Sequence, residues 1–244
     1  MGATDAFGTA VREGRTDDVR GLLDANPGLA EEALDGLSPV LVALFAGAED
    51  TAVLLSERRT SLDACEAAAL GSVDALRRVD EAGRDGRAGR AEDLGAPGAL
   101  GWTPLHLAAY LGRREATAWL LGRGVDPGIR SDNAEANTPL HAALAGCNDP
   151  EVIRLLLEGG ADPDAGAALG VTPLHLAASR GNGAAVDALL ARGARPASME
   201  DGRMPSALAD ERGHPALASR LAELEGASAD PPGETPGGVP PDSP

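Results

Sequence analysis

Four histidines, two cysteines and many carboxylates are the side chains in this 244-residue chain that could do metal or acid–base chemistry. His106, His141 and His175 each close a Thr-Pro-Leu-His tetrapeptide that begins at Thr103, Thr138 or Thr172. Imidazoles at a regular spacing could ligate zinc or relay protons, with Cys65, Cys147 or His214 completing a site. Asp126 and Asp162, in Gly-Val-Asp-Pro and Gly-Ala-Asp-Pro, read on paper as a carboxylate pair for acid–base work. All 21 basic residues are arginine, which excludes lysine Schiff bases, a lysine general base and a phosphate loop ending in Gly-Lys-Thr.

Whether those side chains can converge depends on the elements that carry them. The tetrapeptide threonines lie 35 and 34 residues apart, so the chain has an internal period. Eight or nine residues after each Thr comes a glycine (Gly112, Gly146, Gly181), then a second apolar segment containing Leu-Leu, then Gly-x-x-Pro. That order reads as helix, glycine turn, helix, then a stop. Thr suits the N-cap and Pro the first helical position, where no N–H is missed. His falls at the third position, from which it can hydrogen-bond back to the cap.

The glycines at 14, 47, 71, 112, 146, 181 and 213 mark about seven units. Ser38-Pro39-Val40-Leu41 opens the second with Ser for Thr, and Cys65 to Leu76 forms a degenerate third that has lost the loop before it. Met204-Pro205-Ser206 opens a terminal cap whose second helix runs from Pro215 to Leu224. The expected organisation is three degenerate units over 1–79, a Gly/Arg/acid-rich insertion over 80–100, four units including the cap over 101–225, and a Pro/Gly/acidic tail over 226–244. The 80–98 stretch lacks apolar periodicity and is expected to be exposed and mobile. The tail cannot bury enough surface to offset ordering entropy and is expected to be disordered.

The Thr-Pro-Leu-His-x-Ala units resemble the ankyrin repeat. The resemblance implies an all-α solenoid of about seven helix-turn-helix units with loop or hairpin connections. Such units stack at the roughly 8–10 Å spacing of packed helices, whereas a zinc ligand lies about 2 Å from its ion. One histidine per repeat therefore forms a ladder, and no metal site or cofactor is expected. Cys65 and Cys147 fall about two repeats apart, beyond the roughly 7 Å Cα limit for a disulfide. The chain is expected not to be an enzyme.

In ankyrin proteins, partners touch the loop tips and the inner-helix residues just before the turn glycine. The resemblance thus places a partner-binding face at Phe45, Leu70, Trp102, Tyr110, Leu111, Arg130, Asn137, Leu144, Val171 and Arg180. Three of the five aromatics, Phe45, Trp102 and Tyr110, fall on this face, leaving Phe7 and Trp119 for the core. The competing reading is that these side chains fill gaps beside the irregular third unit.

The expected function is to bind a protein partner as scaffold, inhibitor or regulatory subunit. One alternative is a small-effector regulator, favoured by an enclosed cavity near Trp102. Another is an enzyme using Asp80, Glu81, Asp85, Glu92 or Asp93 of the 80–98 insertion. A net charge of −17 with no basic patch argues against nucleic-acid and anionic-membrane binding. No basic, apolar leader opens the chain and no apolar run is long enough to span a bilayer, so a monomeric, cytoplasmic, free-thiol protein is expected.

Overall fold

A computed structural model describes residues 3–84 and 94–229, and among these the secondary structure is helical. Fourteen α-helices form seven consecutive pairs. The first pair is α1 (Ala3–Arg12) and α2 (Thr16–Ala25); the second is α3 (Pro39–Phe45) and α4 (Glu49–Arg58); the third is α5 (Ala64–Leu70) and α6 (Val73–Arg84). They continue as α7 (Pro104–Tyr110) and α8 (Arg114–Gly122), α9 (Pro139–Ala145) and α10 (Pro150–Glu158), α11 (Pro173–Ser179) and α12 (Gly183–Ala191). The array closes with α13 (Pro205–Glu211) and α14 (Pro215–Ala229).

From the second unit on, the first helix of each pair is seven residues long, too short to be stable alone, and is held by its ends and by stacking. Pro stands in the first turn of α3, α7, α9, α11 and α13. The third unit spells its opening Asp63-Ala64-Cys65-Glu66: Asp63 caps the Glu66 N–H at 2.7 Å, and the Glu66 carboxylate accepts the Asp63 N–H at 3.0 Å. Glu66 thus occupies the place of the motif histidine and closes the same box.

Alanine makes the close stacking possible. Ala67, Ala68, Ala108, Ala109, Ala143, Ala177 and Ala178 are all buried in one apolar cluster running from the third unit to the cap. A second cluster, around Phe7, Val11, Leu23, Leu44 and Leu55, fills the first two units, and Leu62 packs against both. The second helices pack in sequence from α2 to α4 and from α6 through α8, α10 and α12. Between α4 and α6 that layer opens, because the link from α4 to α5 is only Arg59 to Asp63, with no loop to bridge the gap.

Two boundaries differ from those read in the sequence. Helix α6 continues through Arg84, into the segment assigned to the insertion, and Asp80 on it pairs with Arg123 of α8 at 2.9 Å. Helix α14 runs on to Ala229, beyond the Leu224 end and into the segment assigned to the tail. Asp85, Glu92 and Asp93, and the tail from Asp230 onward, lie outside the described residues.

Candidate protein-binding face

The motif histidines are occupied by the fold. Thr103 N–H donates to His106 Nδ1 at 3.3 Å, and Thr103 Oγ1 lies 2.8 Å from the same nitrogen. An N–H can only donate, so Nδ1 is unprotonated, and Nε2–H donates to the Asn137 carbonyl of the next unit at 2.9 Å. His141 repeats this with Thr138 and the Val171 carbonyl at 3.1 Å, and His175 with Thr172 and the Arg203 carbonyl at 3.3 Å. Each imidazole thereby ties its own cap to the following repeat.

Burial holds these rings neutral. Desolvation pushes His106 and His141 down to about 4 and also lowers His175, against the opposing pull of the carbonyls they bond. Among the described residues no group of three or more His, Cys, Asp or Glu side chains is arranged to hold a metal. Both cysteines are free thiols; burial pushes Cys65 up to about 12 and raises Cys147. Asp126 and Asp162 each accept the N–H two residues on, from Gly128 and Asp164, at 2.8 and 2.9 Å. They are turn-formers, one per repeat.

The three surface aromatics come together. Phe45 meets Tyr110 edge-on with centroids 6.0 Å apart, and Trp102 lies 5.1 Å from Tyr110 and 6.1 Å from the His106 ring. Phe45 belongs to the second unit and Tyr110 to the fourth, so the contact spans the third, whose equivalent residue is the half-buried Leu70. Trp102, Leu70 and Leu111 pack against the apolar cluster of the first two units. The aromatics therefore fill the irregular third unit's gap as well as lining the surface; Phe45 is 37% exposed. Phe7 is core as expected, but Trp119 is only partly buried on α8, with the Arg123 guanidinium 5.8 Å from its ring centre.

Leu144 does not belong to the face. It is 0% exposed and lies in the core. The cause is register: Gly146 comes eight residues after its Thr where Gly112 and Gly181 come nine, so the residues before it sit one step earlier on the helix. Gly146 is not the left-handed turn residue either; Asn148 takes that conformation at φ 57°. Gly146 is required by space, since a Cβ there would fall 2.1 Å from the Tyr110 carbonyl oxygen.

The remaining positions divide between side-chain and backbone roles. The Arg130 guanidinium donates to the Ala136 and Gly166 carbonyls at 3.0 and 2.6 Å, and Arg180 donates to the Ala145 carbonyl. Asn137 and Val171 lend their carbonyls to the histidine ladder and are half-buried. Two loop-tip residues escaped the sequence reading: Leu100 is 37% and Leu169 64% exposed. Leu169 is held at φ 58° in the left-handed region, and its carbonyl accepts the Glu200 N–H of the next loop at 3.0 Å. A leucine displayed in a conformation that suits glycine was the available signal, and it is visible only in the backbone.

Comparison with known proteins agrees with this repeat geometry. A family model described as ankyrin repeats (three copies) matches residues 7–167, 105–200 and 144–233. Ankyrin repeat and SOCS box protein 16 of Mus musculus is 41% identical over 101 residues, which is 38% of this chain and 22% of the relative. The probable 26S proteasome regulatory subunit p28 of Saccharomyces cerevisiae is 32% identical over 136 residues, 55% of this chain and 59% of the relative. The nuclear factor NF-kappa-B p105 subunit of Gallus gallus is 35% identical over 96 residues, 39% of this chain and 10% of the relative. In each, the match spans less than two thirds of the relative's own length.

Proposed function

The chain belongs to the ankyrin-repeat family, and from that premise we propose that it recognises a protein partner, acting as a scaffold, inhibitor or regulatory subunit. Ankyrin repeats generally serve as protein–protein interaction modules. The observation that carries the reading here is the apolar display of Leu100 and Leu169 at the loop tips, together with the aromatic group of Phe45, Trp102 and Tyr110. Exposed leucines and aromatics that stay on a rigid frame lose little entropy on binding and shed apolar surface from water. Leu70, Leu111, Asn137, Val171, Arg130 and Arg180 complete the face in this reading, and Leu144 leaves it.

The motif chemistry supports the same direction. The motif imidazoles and the Cys65 thiol are buried, the Asp126 and Asp162 carboxylates are engaged in turns, and the exposed Cys147 thiol rests against the Ala109 carbonyl, so the reading assigns the chain no reaction. Among the described residues no helix is long and apolar enough to cross a membrane.

The test is affinity capture from the native host with wild-type chain and with Leu100→Arg plus Leu169→Arg. Both leucines are exposed, so the double variant keeps the wild-type thermal midpoint, and it recovers the captured protein at least about tenfold less efficiently. Equal recovery by the two chains contradicts the assignment of the loop tips.

A further inference from the structure

The opening between α4 and α6 is a cleft of about 400 Å3, on the side of the array formed by the second helices. It lies where the outer layer is interrupted and where the two apolar clusters meet at Leu62. Its floor is Leu62, Ala75 and Val79, the last two of them core residues. Arg59, Ser61 and Arg78 stand on its rim.

The two arginines differ in what they have left to give. Arg59 is nearly buried and its guanidinium is used by Glu31 and Glu66, both at 3.2 Å, and by the Ala30 carbonyl at 2.8 Å. Arg78 is exposed on α6 and makes no ion pair among the described residues. In a chain of net charge −17 a cation beside an apolar floor, with no carboxylate lining the cleft, is locally complementary to an anion. The guanidinium fork matches a carboxylate in particular, which it can engage with two parallel hydrogen bonds. The volume lies in the range of small-molecule sites and is far below what a docked helix needs.

We propose that this cleft binds a small amphiphilic carboxylate. Its aliphatic or aromatic body rests on Leu62, Ala75 and Val79, and its carboxylate meets Arg78 with the Ser61 hydroxyl beside it. The site is separate from the loop-tip face, and a ligand in it would join α4 to α6 across this opening in the outer layer.

Octanoate is a suitable probe, with octanol as its uncharged counterpart, each titrated into the full chain by heteronuclear NMR. Octanoate is expected to give saturable shifts at the amides of Ser61, Leu62, Val79 and Ala82, and octanol to bind more weakly. Arg78→Gln, a surface change, lowers octanoate affinity about tenfold, the loss of one charge-assisted contact. Ala82→Phe fills the cleft and abolishes saturation. The inference is overturned if no saturable shift occurs in the wild type, if octanol binds as well as octanoate, or if Arg78→Gln binds octanoate unchanged.

Discussion

The guanidinium of Arg113, in the fourth unit, reaches over the third to the carboxylate of Glu49 in the second, with contacts of 2.6 and 2.9 Å. On the way its Nε donates to the Ala69 carbonyl at 2.8 Å, so one side chain joins three units. The Phe45–Tyr110 contact makes the same span with rings. The unit with the shortest linker is thus clasped from both sides.

Removing Arg113 should cost more than removing Glu49. The Glu49 side chain is 56% exposed and that of Arg113 21%, so solvent screens the ion pair, and its coupling in a double-mutant cycle should be about 0.5–1 kcal/mol. Arg113→Ala also unpairs the Ala69 carbonyl and should cost about 1.5 kcal/mol in urea unfolding. Equal costs for the two single variants would count against the three-unit clasp.

Acid should weaken the fold through the histidine ladder. The unfolded chain takes up protons near pH 6.5, whereas folded His106 and His141 resist until about pH 4. Their contribution is complete above pH 6.5, declines as the pH falls, and is lost by about pH 4. At pH 5 the loss should be about 2 kcal/mol for each of the two rings, read from urea midpoints against pH 7.5. His106→Gln, which keeps a group able to bond back to the cap, should flatten that dependence.

Glu66 should act with the opposite sign. Burial and the neighbouring Asp63 push its carboxyl up, and its Oε1 lies 3.2 Å from Arg59 Nε with no hydrogen bond of its own. An acid whose folded value is raised costs stability at neutral pH and recovers it as the pH falls. Glu66→Gln should therefore stabilise the chain at pH 7.5 by about 1 kcal/mol while keeping the capping bond. A loss of more than about 2 kcal/mol would mean that the Arg59 contact outweighs the burial.

Two glycines separate crowding from backbone strain. Gly146 has negative φ but no room for a Cβ beside Tyr110, whereas Gly213 has φ 82° and open space around it. Gly213→Ala should cost about 1 kcal/mol, from the left-handed conformation alone. Gly146→Ala should cost at least about 2 kcal/mol, because the Tyr110 carbonyl must move. Thermal unfolding of both variants gives the order.

What could be read from the sequence was whatever lies within one repeat. Thr103 and His106 are three residues apart, so their capping geometry follows from helix periodicity, and the fate of the histidines followed from it. Leu144 was misplaced because a one-residue shift of Gly146 moves a side chain from the surface into the core. The Glu49–Arg113 clasp joins residues in different units with no shared motif, and the α4–α6 cleft arises from a loop that is missing. Leu169 looks like an ordinary loop leucine until its φ is known.

The most direct test of the partner-binding account is hydrogen–deuterium exchange of the chain with and without its captured partner. The account predicts slowed exchange at the loop tips around Leu100, Glu135 and Leu169 and at the C-terminal ends of α3 and α7. Protection confined to the outer helices α8, α10 and α12, with the loop tips unchanged, would contradict it.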